Sequence, residues 1–190
     1  MAWFKRVWHF IWHDDSIASW LVNLVLAFVL VKWVIYPGLG LLFGTSFPIV
    51  AVVSGSMEHE GLDFDAWWER YGQWYDGHAI SKSQFSSFPF RNGFQMGDIM
   101  ILRGVEPKHI KAGDVLVYES SRHPNPIIHR VVDVTEEGGE YTFLMKGDHN
   151  SSPDQEMVTA QHLRRTGKAI TRFPYLGWVK IWFVRLLRLE

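Results

Sequence analysis

Residues 17–36, IASWLVNLVLAFVLVKWVIY, make an apolar run of twenty broken only by Ser19, Asn23 and Lys32. At about 1.5 Å of rise per residue, a helix of this length reaches about 30 Å, the thickness of a bilayer's hydrocarbon core. The run predicts a transmembrane helix, with Asp14, Asp15 and Ser16 as candidate N-caps and an end near Pro37. Lys32 is close enough to that end to snorkel, and Trp33 and Tyr36 suit the interface. A cleaved leader would show a shorter apolar core and a small-residue cleavage site. Neither precedes Pro37, so an uncleaved anchor is expected. Within 190 residues this leaves room for one compact domain.

Ahead of the anchor, residues 1–16 interleave Trp3, Phe4, Val7, Trp8, Ile11 and Trp12 with Lys5 and Arg6. The apolar positions fall on roughly one helical face, which predicts a segment lying along the cytoplasmic membrane surface. Lys5 and Arg6 precede the anchor, and no Lys or Arg follows it between Trp33 and Ser56. By the positive-inside rule the N-terminus is cytoplasmic and everything after Tyr36 lies outside. Ten tryptophans are more than a small soluble domain needs and favour a bilayer interface. A net charge of -1 makes no case for nucleic acid as a partner. With no cysteine, disulfides, thiolate nucleophiles and Cys-ligated zinc are excluded.

Beyond the anchor, residues 37–174 are expected to form a β domain. Its first strand is the apolar stretch 47–53, which ends in the small turn SGSM at 54–57. Residues 60–95 differ in character and read as an insertion. Phe64, Trp67, Trp68, Tyr71, Trp74 and Tyr75 form a helical stripe, and 81–91 reads as loop. The stripe has two readings, packing on the domain's own core or resting on a membrane or substrate. The pattern then turns to short β-prone runs at 98–102, 114–118, 127–134 and 141–145, with EEGGE at 136–140 as a hairpin turn. Strands without intervening helices predict a mainly β fold, an all-β sandwich or barrel. Residues 175–190 are expected to hold a short amphipathic interfacial helix, because Lys180, Arg185 and Arg188 interrupt the apolar residues.

Three groups in the β region could carry chemistry together. The strand before Ser56 would hold its hydroxyl at a fixed, exposed position, with Gly55 easing the turn. A serine hydroxyl needs a base, and His129 stands out among Ile127, Ile128, Val131 and Val132. Strand alternation sends Arg130 to the opposite face, solvated or paired. A carboxylate should orient the base, and MKGDHNSSPD supplies Asp148 and Asp154 in one loop, leaving the choice open.

SGSM at 54–57, GDVLVY at 113–118, IIHRVV at 127–132 and KGDHNSSPD at 146–154 together closely resemble the boxes of type I signal peptidases. A histidine at the base position resembles the archaeal and endoplasmic-reticulum branch, whereas the bacterial branch has lysine there. The resemblance spans the anchor and almost everything except 60–95. It implies a signal-peptidase-like β catalytic domain with Ser56 as nucleophile, His129 as general base, Asp154 as the triad carboxylate and Asp148 as a supporting acid. The Ser56 N–H and the Ser54 hydroxyl would form the oxyanion hole. Substrates would be secretory preproteins, cut after small-x-small sequences laid along Ile49, Val50, Ala51, Val52 and Val53 by strand addition. The implied setting is the cell membrane or the endoplasmic-reticulum membrane, with the translocation machinery a further candidate partner and no metal or cofactor. Two departures stand out. The family usually has proline where this chain has His59, and the long aromatic insertion gains no role from the resemblance.

Other readings compete. A metallohydrolase could use His123, His129, His149 and an Asp, but no HExxH or comparable helical ligand pair exists. A Ser–Lys dyad with Lys146 as base would keep the reaction and change its mechanism. A non-catalytic membrane-anchored module that binds exported polypeptides is the alternative from another class.

Overall fold

The computed structural model describes residues 2–163 and 165–186 and divides into two compact units at the 42/43 boundary. The end of the expected interfacial segment, residues 187–190, lies outside the described residues.

In the first unit, helix α1 (Ala2–His13) precedes helix α2 (Ile17–Phe43). Ser16 caps α2, its side chain accepting from the Ser19 N–H at 3.2 Å. Two polar residues inside the apolar run are satisfied by α1: Ser19 Oγ donates to the Phe10 carbonyl at 2.5 Å and Asn23 Nδ2 to the Ile11 carbonyl at 2.8 Å. These bonds let the last turn of α1 dispose of carbonyls that would otherwise lack partners. Around α2, Trp20, Leu24, Val25, Phe28 and Leu30 are all exposed, so it is apolar on every side and long enough to cross a membrane.

This helix does not stop near Pro37, as its sequence suggests, but runs on to Phe43. A π turn at Val31–Ile35 explains the difference, with the Tyr36 N–H reaching back to the Val31 carbonyl. Widening the helix just ahead of Pro37 accommodates a ring that cannot donate and would crowd the preceding turn.

The second unit is built on one seven-stranded antiparallel sheet: β1 (Ile49–Ala51), β2 (Ile99–Arg103), β3 (Val115–Tyr118), β4 (Ile127–Glu137), β5 (Glu140–Lys146), β6 (Val158–Thr159) and β7 (Gly167–Phe173). The spatial order is β1-β2-β7-β3-β4-β5-β6. The fold is mainly β, and the four expected later runs became β2 to β5. Gly138 and Gly139 form the tight β4–β5 turn with φ of 60° and 84°, a conformation that favours glycine at both places. Two strands have no counterpart among the expected runs, the two-residue β6 and the long β7, which lies between β2 and β3.

The sheet buries apolar side chains in separate clusters. Val52, Met57, Met100, Leu102, Val115 and Val117 tie the Ser56 turn to β2 and β3. Leu116, Tyr118, Val131, Phe143 and Met145 fill another around β3, β4 and β5. A third belongs to the insertion. Its helices α3 (Phe64–Tyr71), α4 (Gln73–Asp76) and α5 (Lys82–Ser86) gather Trp67, Trp68, Tyr75 and Phe85 against Val132 of β4. The aromatic stripe therefore packs on the domain's own core. Helix α5, capped by Ser81, replaces part of the expected loop. Beyond β7, helix α6 (Trp178–Leu186) follows a turn in which the Gly177 N–H donates to the Gly97 carbonyl at 2.7 Å.

Candidate active site

Among the described residues, strand β1 is an outer strand paired only with β2, in the register Val50↔Met100. The Leu102 N–H donates to the Pro48 carbonyl, the Val52 N–H to Asp98 and the Gly97 N–H to Val52. Backbone groups of Pro48, Val50 and Val52 thus face β2, and strand alternation turns those of Ile49, Ala51 and Val53 toward the open edge. Among the residues expected to line the substrate, Val52 is buried in the core at 2% exposure and Val50 packs against that core, whereas Val53 is 56% exposed. Only the backbone and the outward side chains of this stretch can meet another chain.

Past β1 the backbone turns, with the Glu58 N–H donating to the Gly55 carbonyl at 3.0 Å. A Cβ at Gly55 would meet the Glu58 carboxyl group at 3.1 Å, so what the glycine provides is room for that side chain. Ser56 Oγ lies 3.3 Å from Ser54 Oγ. Among the described residues the Ser56 N–H makes no hydrogen bond, and none joins Ser56 to His129. The Ser56 carbonyl accepts the His149 N–H at 2.9 Å, and the Asp148 N–H approaches Met57 Sδ at 3.4 Å. The serine turn is thereby tied to the 147–154 loop.

At the far end of that loop, His129 Nδ1 is 2.6 Å from Asp154 Oδ2. His129 is buried on β4 opposite Leu116 of β3. The Tyr118 hydroxyl, two residues along β3, donates to the same Asp154 oxygen at 2.7 Å. An ionised carboxylate only accepts, so the Nδ1 proton faces Asp154 and the lone pair is left on Nε2. Burial, followed by the hydrogen bond to Asp154, pushes the Tyr118 phenol far above its usual range and keeps it a neutral donor. The Asp154 N–H donates to the Met145 carbonyl at 2.8 Å, which returns the loop to β5. A cavity of about 380 Å³ opens beside the pair, lined in part by Tyr118, Ile127, Asn150, Pro153 and Asp154.

Asp148 is elsewhere. It is fully buried, and Arg130 grips it twice, Nε to Oδ1 at 2.9 Å and Nη2 to Oδ2 at 2.8 Å. Tyr75 donates to Oδ1 at 2.9 Å, and His59 Nε2 is 3.1 Å from Oδ2. Burial alone would raise this carboxyl group's pKa, but the Arg130 charge and hydrogen bonds overcome it and hold Asp148 well below the usual range. Arg130 is paired rather than solvated, and it also donates to the carbonyls of Pro89, Phe90 and Gly113. His129 and Asp154 are brought together, while Asp148 serves a different pair.

Lys146 is 2% exposed at the end of β5. Its ammonium group donates to the Gly147 carbonyl at 3.0 Å and lies 5.0 Å and 4.8 Å from the ring centres of Trp74 and Tyr75. Burial brings its pKa down to about 8. The residues that sequence reasoning missed are Tyr118, Tyr75 and His59. Tyr118 closes the GDVLVY box, and its place at the strand end was the one available signal.

A serine turn beside an open sheet edge, joined through one loop to a His–Asp pair, defines a class of β domain with a Ser, His and Asp constellation. No family model matches the chain. Signal peptidase complex catalytic subunit SEC11 of Eremothecium gossypii is 31% identical over 153 residues, covering 77% of this chain and 71% of that protein. SEC11 of Colletotrichum graminicola is 28% identical over 173 residues, covering 86% and 79% respectively. Human SEC11C is 29% identical over 153 residues, and the match spans 62% of its length. The chain belongs to the family of signal peptidase complex catalytic subunits.

Proposed function

We propose that this protein is a membrane-bound serine endopeptidase that removes signal peptides from secretory preproteins, cutting after small-x-small sequences on the extracytoplasmic face. The observation that carries this reading is the 2.6 Å contact between His129 and Asp154, at the end of the loop that ties down the Ser56 turn. Helix α2 anchors the domain in a single pass, and the names of the relatives support both the reaction and assembly into a complex. The N-terminus is cytoplasmic on the positive-inside argument from Lys5 and Arg6.

In this mechanism the preprotein adds as a strand along the free edge of β1, bonding to the backbone of Ile49, Ala51 and Val53. Ser56 Oγ attacks the scissile carbonyl carbon as its proton passes to His129 Nε2, and Asp154 holds the imidazolium. This requires Ser56 and His129 to close up when substrate binds, since catalytic hydrogen bonds often tighten only in the complex. The Ser56 N–H and the Ser54 hydroxyl receive the oxyanion, each such donor contributing about 3 kcal/mol at the transition state. Collapse returns the proton from His129 to the leaving amine. Water then attacks the acyl–Ser56 ester with His129 again as base, releasing the signal peptide.

The test is cleavage of a purified preprotein by the full chain in detergent. Wild type should cut after the small-x-small site and Ser56→Ala should leave the preprotein intact. Equal cleavage by the two would sink the mechanism. A preprotein bound but uncut by wild type, where a related peptidase cuts it, would favour a non-catalytic binding module.

A further inference from the structure

Residues 60–95 and His59 take no part in the chemistry proposed for Ser56, His129 and Asp154. Besides packing on Val132 of β4 and bonding to the Met57 carbonyl through the Phe94 N–H, they make a set of side-chain contacts with one short stretch, 146–149. On one side this stretch meets the serine turn through its backbone. The His149 N–H donates to the Ser56 carbonyl at 2.9 Å, and a Cβ at Gly147 would stand 2.7 Å from that same oxygen. On its other side the stretch is held by side chains of the insertion. The Lys146 ammonium group rests against the faces of Trp74 and Tyr75, and Asp148 accepts from the Tyr75 hydroxyl at 2.9 Å. His59 completes the grip. It is buried at 3% exposure, stacks on Trp67 with ring centres 3.9 Å apart and planes 3° from parallel, and reaches Asp148 Oδ2 at 3.1 Å.

These contacts are directional. Tyr75 and His59 take different oxygens of one carboxylate whose remaining capacity goes to Arg130, so the Asp148 side chain has a single orientation. The insertion also supplies the Pro89 and Phe90 carbonyls that fix Arg130. Trp67 and Tyr75 are themselves locked by edge and tilted contacts with Phe85. A rigid aromatic body thus sets side chains against 146–149 from one side while Ser56 is bonded to it from the other.

We propose that the aromatic insertion is an internal clamp for the nucleophile turn, in which His59 and Tyr75 are positioning residues that hold 146–149 and, through the His149–Ser56 bond, set the place of Ser56. This rests on Ser56 as the nucleophile. It also accounts for His59, since a proline side chain there has no polar atom to bond to Asp148. The principle is that of catalytic groups whose geometry depends on outer partners.

The test combines kinetics with amide hydrogen exchange on the full chain in detergent, comparing wild type with Tyr75→Phe, His59→Gln and His59→Leu. Tyr75→Phe keeps the ring over Lys146 and removes only the hydroxyl bond. We expect roughly a 3- to 10-fold loss of kcat at nearly constant KM, the scale of one lost hydrogen bond. The His149 amide should exchange faster, while the Val131 and Met145 amides in the sheet stay as slow as in wild type. His59→Leu should lose more, and His59→Gln, which retains a donor, should recover most of that loss. Unchanged His149 exchange in both Tyr75→Phe and His59→Leu would overturn the clamp. So would exchange that rises equally at His149, Val131 and Met145, since that marks general destabilisation. If His59→Leu does not fold, Tyr75→Phe decides alone. The exchange experiment does not depend on turnover, so an inactive wild type would count against the peptidase reading and leave the clamp to be judged by the amide.

Discussion

Asp148 and Asp154 stand six positions apart in one loop. Asp148 is enclosed, with both oxygens taken by Arg130, Tyr75 and His59. Asp154 uses one oxygen for both His129 and Tyr118 and borders an open cavity. The same side chain therefore does two different jobs. A carboxylate saturated by a buried arginine is a structural tie, whereas one with a histidine as its chief partner can hold that histidine's tautomer and stabilise its cation.

The comparison breaks most visibly in the activity of Asp154→Asn. With the amide unable to stabilise the imidazolium, kcat for preprotein cleavage should fall roughly 1,000- to 10,000-fold, with little change in melting temperature. Asp148→Ala should act mainly on stability, with a loss of kcat far below that of Asp154→Asn even though it releases the Tyr75 and His59 bonds. It strands Arg130 in the core, and loss of one partner of a buried pair costs about 3–5 kcal/mol, measurable by denaturant unfolding. Since the Asp148 pKa is held below its unfolded value, its contribution is full above about pH 4 and is lost as the pH drops through the folded value. If the two substitutions exchanged these effects, the assignment of roles would be reversed.

Lys146 gives a smaller effect of opposite origin. Burial disfavours its ammonium form, so the folded protein releases this proton at about pH 8 and the unfolded chain about 2 units higher. The folded state then holds fewer protons between those values, and stability rises with pH across that window by up to about 3 kcal/mol. Below it the penalty is present in full. Lys146→Met should remove the rise, seen as the difference between wild-type and mutant unfolding curves at pH 7 and pH 10. Tyr118→Phe is the mildest test. It removes one of two bonds to Asp154 and should cost kcat about 5- to 10-fold, the worth of roughly 1 kcal/mol.

Much of this was legible in the sequence because it depended on local pattern. Apolar length marked α2, alternation and turn residues marked β2 to β5, and the glycine pair marked their hairpin. Strand β7 was hidden because Lys168, Thr171 and Arg172 leave it no apolar face to read, although Ala169 is buried in the core. Its place between β2 and β3 comes from pairing with partners far away in the chain. Pro37 misled because a π turn can absorb what an α-helix cannot. The choice between Asp148 and Asp154 was illegible for a different reason. It is decided by Arg130, Tyr75, His59 and Tyr118, none of which lies in the loop, and only the folded sheet brings them to it.

The central claim is that His129, held by Asp154, is the base for Ser56, with Lys146 occupied elsewhere by Gly147 and the rings of Trp74 and Tyr75. It is tested most directly by measuring preprotein cleavage by His129→Ala and Lys146→Met side by side, each shown to be folded. The expected result is loss of at least about 1,000-fold for His129→Ala, with Lys146→Met within about tenfold of wild type. Persistent cleavage by His129→Ala together with an inactive Lys146→Met would contradict it and make the lysine the base.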